Sequence, residues 1–252
     1  MKKLFIITIL SFLSFSAHAE NIELFADDGL EWNQKEQKII MHKNATAKTP
    51  SYELIADNIE ALYKGADKHI YKIFANNNVK ITSQNEKINT DKMIYDIDNE
   101  RIDLFSINNP TTLKTSDSTI TAKDEIIYYK NKNYATAKTA EINHSGRKLF
   151  ADNIKITFDN KNKKNQVKLV NANGNIKLID GEEELYGDTA EYNPKNGYAT
   201  IEGNVYFKKG SDANLSGGKI IYDMSTGIAK ILPKDTETKV KGIFSTKTTS
   251  KN

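Results

Sequence analysis

The chain has 252 residues, a formal net charge of +3 at pH 7 and no cysteine. A charge so close to neutral gives no reason to expect nucleic acid as a partner. Without cysteine the chain can form no disulfide framework and cannot carry a lipid-modified cysteine. Its stability must therefore come from buried apolar surface and from backbone pairing.

Residues 1–19 have the pattern of a secretory signal peptide. Two lysines precede the apolar run Leu4–Phe15, and Ala17-His18-Ala19 forms a small-x-small cleavage site. The run is shorter than the roughly 20 apolar residues that a spanning helix needs. We therefore predict cleavage after Ala19 and export to the periplasm, with an uncleaved anchor as the alternative. The polar residues 246–252 are predicted to be a disordered tail, which leaves 20–245 as one repeat domain.

A short unit recurs through the chain at a spacing of roughly thirty residues. It consists of Asp, any residue, an apolar residue, any residue, and an aromatic or apolar residue. A second alternating segment often follows an asparagine, as at Asn44, Asn78, Asn175 and Asn204. The seven copies of the unit are Asp28-Gly29-Leu30-Glu31-Trp32, Asp57-Asn58-Ile59-Glu60-Ala61, Asp91-Lys92-Met93-Ile94-Tyr95, Asp124-Glu125-Ile126-Ile127-Tyr128, Asp152-Asn153-Ile154-Lys155-Ile156, Asp188-Thr189-Ala190-Glu191-Tyr192 and Gly218-Lys219-Ile220-Ile221-Tyr222.

The alternation within these segments has a period of two, which is typical of strands with one apolar face and one wet face. Each unit has too few apolar residues for a core of its own, so neighbouring units must stack and share one interior. The sequence therefore predicts an all-β fold: an elongated, open β-jellyroll or β-solenoid-like stack of short antiparallel strands, built from about seven repeats.

Several positions on the inward face carry alanine, which is compatible with an incompletely filled groove. Alanine facing a bulky neighbour such as Trp32 or Phe207 also fits a packed core, so both interpretations stay open. Lipid acyl chains suit such a groove because each methylene removed from water contributes about 0.8 kcal/mol without any precise polar contact. The residues predicted to line this lipid-binding groove are Leu30, Trp32, Ile59, Ala61, Val79, Ile81, Met93, Tyr95, Ile154, Ile156, Ile176, Leu178, Ile201, Val205, Phe207, Ile220 and Tyr222.

No constellation of residues points to catalysis, a cofactor or a metal. The recurring aspartates are too far apart for a calcium-binding roll, whose period is nine residues, and are interpreted as turn caps. His42, His69 and His144 stand alone and are interpreted as surface residues. The chain has no nucleophile elbow and no phosphate-binding loop, so we predict that it is not an enzyme. Lys208, Lys209 and Lys219 are weak candidates for contacts with lipid phosphates.

The repeat resembles the OstA-like domain of the lipopolysaccharide transport machinery. The resemblance is carried by Leu54-Ile55-Ala56-Asp57-Asn58-Ile59, Leu149-Phe150-Ala151-Asp152-Asn153-Ile154, Gly203-Asn204-Val205-Tyr206-Phe207 and Leu215-Ser216-Gly217-Gly218-Lys219-Ile220-Ile221-Tyr222. It implies a twisted, open β-jellyroll whose V-shaped interior holds lipid A acyl chains, as in the soluble periplasmic bridge members of the family. Seven repeats are more than such a bridge protein typically has.

The resemblance also implies partners. These are lipopolysaccharide, the inner-membrane-anchored and outer-membrane members of the machinery, and further copies of the chain joined head to tail. Edge strands are expected near Ile22–Phe25 and Lys239–Phe244, where strand addition without closure would extend a filament. Two alternatives remain open: an exported β-solenoid adhesin or carbohydrate-binding stalk with a filled core, and a β-helix enzyme acting on polysaccharide.

Overall fold

A computed structural model describes residues 22–159, 166–211 and 213–244. The predicted signal peptide at 1–19 and the predicted tail at 246–252 lie outside the described residues. Among the described residues, no helix is long and apolar enough to cross a membrane. The regular structure consists of strands together with a single described 3₁₀ turn, Lys130–Lys132. The predicted all-β class is thus confirmed.

The described strands form one antiparallel sheet of 18 strands. Their bounds are β1 (Glu23–Phe25), β2 (Leu30–Asn33), β3 (Lys38–Lys48), β4 (Tyr52–Lys64), β5 (His69–Ser83), β6 (Lys87–Asp96), β7 (Arg101–Phe105), β8 (Thr111–Lys114), β9 (Ser118–Ala122), β10 (Glu125–Tyr129), β11 (Tyr134–His144), β12 (Arg147–Asp159), β13 (Gln166–Asp180), β14 (Glu183–Asn193), β15 (Tyr198–Lys209), β16 (Ala213–Asp223), β17 (Ile228–Leu232) and β18 (Lys241–Phe244).

The sheet is divided into two half-sheets, and the long strands β3–β6 and β11–β16 run through both of them. One of them, half-sheet 1, contains the short strands β2, β7, β10 and β17; the other, half-sheet 2, contains β1, β8, β9 and β18. In most of the long pairs the register shifts between the two half-sheets. We call this row of shifts the bend line and the turn-bearing ends of the half-sheets, away from it, the two lips.

Left-handed backbone produces the bend. Pairs of consecutive residues with positive φ lie at the shifts, for example Asn77 (φ 59) with Asn78 (φ 51), and Gly174 (φ 78) with Asn175 (φ 49). Asparagine and glycine occupy this region at little steric cost, which explains their recurrence. The strands continue through the bend, so they are longer than the short strands expected: β5 and β13 each have 15 residues.

The core lies between the half-sheets. Along each strand, alternate residues point inward, and Ile59, Ile154, Ile176, Ile201 and Ile220 are each at most 2% exposed. They belong to a hydrophobic cluster that runs from Met41 in β3 to Met224, beyond β16. One interior is therefore shared by the whole stack, as the shortage of apolar residues within each repeat requires.

Candidate functional site

The structure places the predicted groove residues in the shared interior, with two exceptions. Leu30 and Trp32 are 50% and 48% exposed because β2 is the first strand of half-sheet 1. Lys68 Nζ lies 4.0 Å from the centre of the Trp32 ring, and Trp32 Nε1 donates to the Tyr63 hydroxyl at 2.8 Å. Fifteen of the predicted residues are buried: Ile59, Ala61, Val79, Ile81, Met93, Tyr95, Ile154, Ile156, Ile176, Leu178, Ile201, Val205, Phe207, Ile220 and Tyr222.

Most of the described interior is filled, and two apolar cavities lie within it. A further apolar hollow of about 230 Å³ lies at the first strand of half-sheet 1, beside Leu30, Trp32 and Ile39. The first of the two cavities has a volume of about 120 Å³ and lies at the N-terminal end, where Ala61, Ile59 and Tyr95 of half-sheet 1 face Leu24 and Leu54 of half-sheet 2. Ile22, which is 44% exposed, also lines it. This cavity therefore lies next to the open end of the stack.

The second cavity has a volume of about 70 Å³ and lies in the C-terminal part. Ala190, Ala199 and Ile201 of half-sheet 1 face Ile142 and Leu178 of half-sheet 2 across it. Alanines line both cavities, at Ala47 and Ala61 in the first and at Ala190 and Ala199 in the second. The small side chains thus coincide with these two cavities.

A polar contact joins the two lips beside the second cavity. Tyr222, near the lip end of β16 in half-sheet 1, places its hydroxyl 3.0 Å from Asp180 Oδ2 and 2.9 Å from Glu183 Oε2 of half-sheet 2. Arg147 Nε donates to Asp180 at 2.7 Å, and Lys209 Nζ donates to Glu183 at 2.9 Å. We call the contact of Tyr222 with the two carboxylates the lip contact.

Tyrosines recur at the fifth position of the repeat, at Tyr95, Tyr128, Tyr192 and Tyr222. Burial raises the pKa of Tyr95 to about 12 and the pKa of Tyr222 well above its ordinary value; the carboxylates of Glu183 and Asp180 add to the second shift. The rings are apolar and the hydroxyls polar, which suits a boundary between an apolar interior and a wet lip. The sequence showed the tyrosines, but Asp180, Glu183 and Arg147 lie at strand ends outside the repeat unit, and their contacts were missed.

Three of the recurring aspartates, Asp57, Asp152 and Asp188, stabilise the bend line and do not cap turns, which corrects the interpretation from sequence for these three. Asn78 Nδ2 donates to Asp57 at 3.1 Å, and Asn204 Nδ2 donates to Asp188 at 2.8 Å. Each Asp lies on the strand next to the Asn, so the bond links neighbouring strands where both bend. Three of the four recurring asparagines are therefore the partners of recurring aspartates, whereas Asn44 donates to Asp27, the residue before the repeat position.

Asp91 has a different set of partners. Its Oδ2 accepts the backbone N–H groups of Ile107, Asn108 and Asn109 at 2.7, 2.6 and 2.9 Å. These bonds, with that of Asn109 foremost, lower the pKa of Asp91 to about 2. The carboxylate thus holds the loop that joins β7 to β8.

The prediction that the three histidines lie on the surface is wrong for His144. His42 and His69 are exposed, and His69 Nε2 lies 3.2 Å from Asp98 Oδ1. His144 is 6% exposed because it occupies an inward position in β11, and its Nδ1 lies 2.7 Å from Ser118 Oγ. Burial lowers the pKa of His144, which keeps the ring neutral at pH 7.

The lysines predicted to contact lipid phosphates do not form one cluster. Lys209 pairs with Glu183 at the lip of half-sheet 2, whereas Lys219 pairs with Glu202 at 2.6 Å in half-sheet 1. Across the part of the chain that the structure describes, no group of three or more His, Cys, Asp or Glu side chains could hold a metal ion. The described interior is an apolar layer bordered by hydrogen bonds at the lips.

Part of the chain is similar to a known protein family. Residues 140–228 match the family model described as LptA/(LptD N-terminal domain) LPS transport protein, which confirms the predicted resemblance over that part. No curated protein matches the chain. A similar solved structure is described as LptH, the LptA-homologous periplasmic component of the conserved lipopolysaccharide transport device from Pseudomonas aeruginosa; it is 13% identical, with a TM-score of 0.44, and the match covers 51% of this chain and 95% of that one.

Proposed function

We propose that this chain is a periplasmic bridge that carries lipopolysaccharide from the inner to the outer membrane, with the lipid A acyl chains held between the half-sheets. The single observation that carries the proposal is the shared interior, an apolar layer that runs between the two half-sheets along the stack. The match of residues 140–228 to an LPS transport family supports it. The proposal assigns no catalytic residue and no cofactor to the chain.

Acyl chains enter, on this proposal, by parting the lips. The cavities of about 120 and 70 Å³ are too small for a set of acyl chains, so the half-sheets must separate to admit them. The two half-sheets are continuous along the bend line. On the opposite side, the lip contact is a polar contact that joins them. On opening, the inward side chains exchange packing against the opposite half-sheet for packing against the lipid, which contributes about 0.8 kcal/mol for each buried methylene.

The two ends of the stack support end-to-end assembly. At the N-terminal end Phe25 and Trp32 are 55% and 48% exposed, and at the C-terminal end Ile228, Ile243 and Phe244 are 65%, 55% and 66% exposed. Exposed apolar side chains on edge strands favour pairing with another sheet. We infer that β1 and β2 of one copy, or of a sister protein of the transport machinery, add to β17 and β18 of the next.

A different function is favoured by the outer surface. A polar hollow of about 640 Å³ lies on the outside of half-sheet 1, where Asn153, Asn171 and Asn173 occupy adjacent strands beside Lys155 and Glu191. Amide and hydroxyl groups on a concave sheet face suit a carbohydrate chain. This hollow, with the nearly filled interior, is what supports the carbohydrate-binding alternative.

Retention of lipopolysaccharide by the tagged, folded chain tests the proposal against that alternative. Intact and fully deacylated lipopolysaccharide are each incubated with the protein, and bound sugar is measured after washing. The proposed function predicts retention of the intact form and at least a tenfold loss on deacylation. Equal retention of both forms would support carbohydrate binding, and retention of neither would reject both functions.

A further inference from the structure

Two stretches of the chain repeat each other at higher similarity than the seven-copy unit requires. Leu54-Ile55-Ala56-Asp57-Asn58-Ile59 in β4 matches Leu149-Phe150-Ala151-Asp152-Asn153-Ile154 in β12, with four consecutive identical residues from Ala to Ile. Ala75-Asn76-Asn77-Asn78-Val79-Lys80-Ile81 in β5 likewise matches Ala172-Asn173-Gly174-Asn175-Ile176-Lys177-Leu178 in β13. The pair β4–β5 therefore corresponds to β12–β13.

The correspondence between the two parts of the chain extends to the places where two short strands take the place of one long strand. β7 (five residues) in half-sheet 1 and β8 (four residues) in half-sheet 2 both pair with β6 and are joined by a loop across the bend line. β17 (five residues) and β18 (four residues) both pair with β16 in the same arrangement. The middle of the stack thus contains a copy of its C-terminal end.

The loop after β7 lies over β6, and the loop after β17 lies over β16. In both cases the loop covers the first position of the repeat unit, where aspartate recurs. In β6 that position is Asp91, whose carboxylate holds the loop after β7. In β16 it is Gly218, where an added Cβ would come within 2.2 Å of Lys234 Cα in the loop after β17. The absence of aspartate from the seventh repeat thus has a steric reason, because the loop occupies that space.

The N-terminal end also has its counterpart in the middle. β1 in half-sheet 2 and β2 in half-sheet 1 precede β3, and β9 in half-sheet 2 and β10 in half-sheet 1 precede β11. β9 and β10 pair with β8 and β7, respectively. The residues that match the LPS transport family, 140–228, all lie after this junction.

We propose that the chain is a covalent tandem of two rolls, residues 22–114 and 118–244, and that β7–β10 is a built-in end-to-end joint. The C-terminal end of a roll is then an interaction surface whose partner is the N-terminal end of another roll, supplied within the chain at the joint. The inward pairs Leu104 with Ile126 and Leu113 with Ile120 continue the core across it. On the surface, Lys130 Nζ lies 3.3 Å from Glu100 Oε1.

The proposal concerns how rolls join and is tested without lipid. A protease recognition sequence is inserted between Ser116 and Asp117, two exposed residues of the β8–β9 turn, in the otherwise complete chain. The folded protein is cleaved, and the parts are separated through a tag in mild urea and returned to buffer. We expect each part to retain a cooperative unfolding transition and β-sheet circular dichroism, and the mixed parts to re-form a 1:1 complex.

The matched control carries the same insertion between Ala66 and Asp67, in the exposed β4–β5 turn within the first roll. Separation there is expected to abolish the transition of the shorter part, because the cut divides one core. Loss of cooperative unfolding in both parts after cleavage at the joint would overturn the proposal. Native-state hydrogen exchange of the uncut chain gives a second readout: β4–β5 and β12–β13 should exchange as two separate units, whereas one common unit would contradict the tandem.

Discussion

The Asn175 side chain donates a 2.8 Å hydrogen bond to the carboxylate of Asp152 on the neighbouring strand, while its own backbone is left-handed (φ 49). The same relationship links Asn78 with Asp57 and Asn204 with Asp188. One side chain therefore stabilises the bend of its own strand and ties it to the next. The bond recurs in the pairs β4–β5, β12–β13 and β14–β15, and because each repeat unit spans about two long strands, it recurs at the spacing of the repeat.

Substitution of Gly174 by alanine should disrupt the bend locally. Gly174 has φ +78, and an added Cβ would lie 2.3 Å from Asp152 Oδ2 and 3.0 Å from Asp152 Cβ, so Asp152 must move away from Asn175. We expect the free energy of unfolding to fall by about 3 kcal/mol, from left-handed strain and overpacking together. Gly181→Ala is the control: φ is +60 but nothing lies within 4 Å, so only the strain of about 1 kcal/mol remains. Equal losses in urea unfolding would refute the role of Asp152.

Asp91→Asn should destabilise the protein in a pH-dependent way. The folded-state pKa of Asp91 is lowered to about 2, so the carboxylate contributes stability above its unfolded pKa of about 4 and loses it as the pH falls toward 2. We expect Asp91→Asn to lower the free energy of unfolding by about 2 kcal/mol at pH 7. The difference from the wild-type protein should narrow steadily below pH 4. Urea unfolding at several pH values measures it. Asp28→Asn, which removes only an exposed 3.9 Å ion pair with Lys43, should have a much smaller effect; a constant difference for Asp91→Asn across the pH range would contradict the account.

Tyr222→Phe should make the lips easier to part. It removes the hydroxyl between Asp180 and Glu183 but leaves the ring, and both carboxylates keep their basic partners. If the lip contact contributes about 1 kcal/mol to the closed form, the open population rises about fivefold, and so does the association rate with lipopolysaccharide. Tyr206→Phe is the matched control because its hydroxyl bonds Asn214 within half-sheet 2 at 2.6 Å. Stopped-flow binding that is unchanged in Tyr222→Phe, or slowed, would show that the lips do not control entry.

Much of the fold follows from period-two alternation, because an apolar face can be buried in only one way once neighbouring strands pair. This is why Ile59, Ile154 and Ile220 are buried as predicted. The strand lengths were underestimated because Gly174 and Asn175 read as a turn in sequence, although a bulge in a continuous strand uses the same residue types.

Contacts between distant strand ends could not be predicted in the same way. Arg147, Asp180 and Glu183 meet Tyr222 only because the bend brings two lips together, and no local pattern records that. The burial of His144 depends on the same closure. The exposure of Leu30 and Trp32 reflects their place on the first strand of half-sheet 1, which periodicity alone does not reveal.

The central claim, that acyl chains lie between the half-sheets, is tested most directly at two neighbouring aromatic residues of β15. Phe207 is 6% exposed and points inward, whereas Tyr206 is 38% exposed and points outward. Each is replaced separately by p-benzoylphenylalanine, and the folded variants are irradiated with intact lipopolysaccharide. The account predicts a covalent adduct at position 207 and little or none at 206. An adduct at 206 alone, or at neither position in variants that still retain lipopolysaccharide, would contradict it.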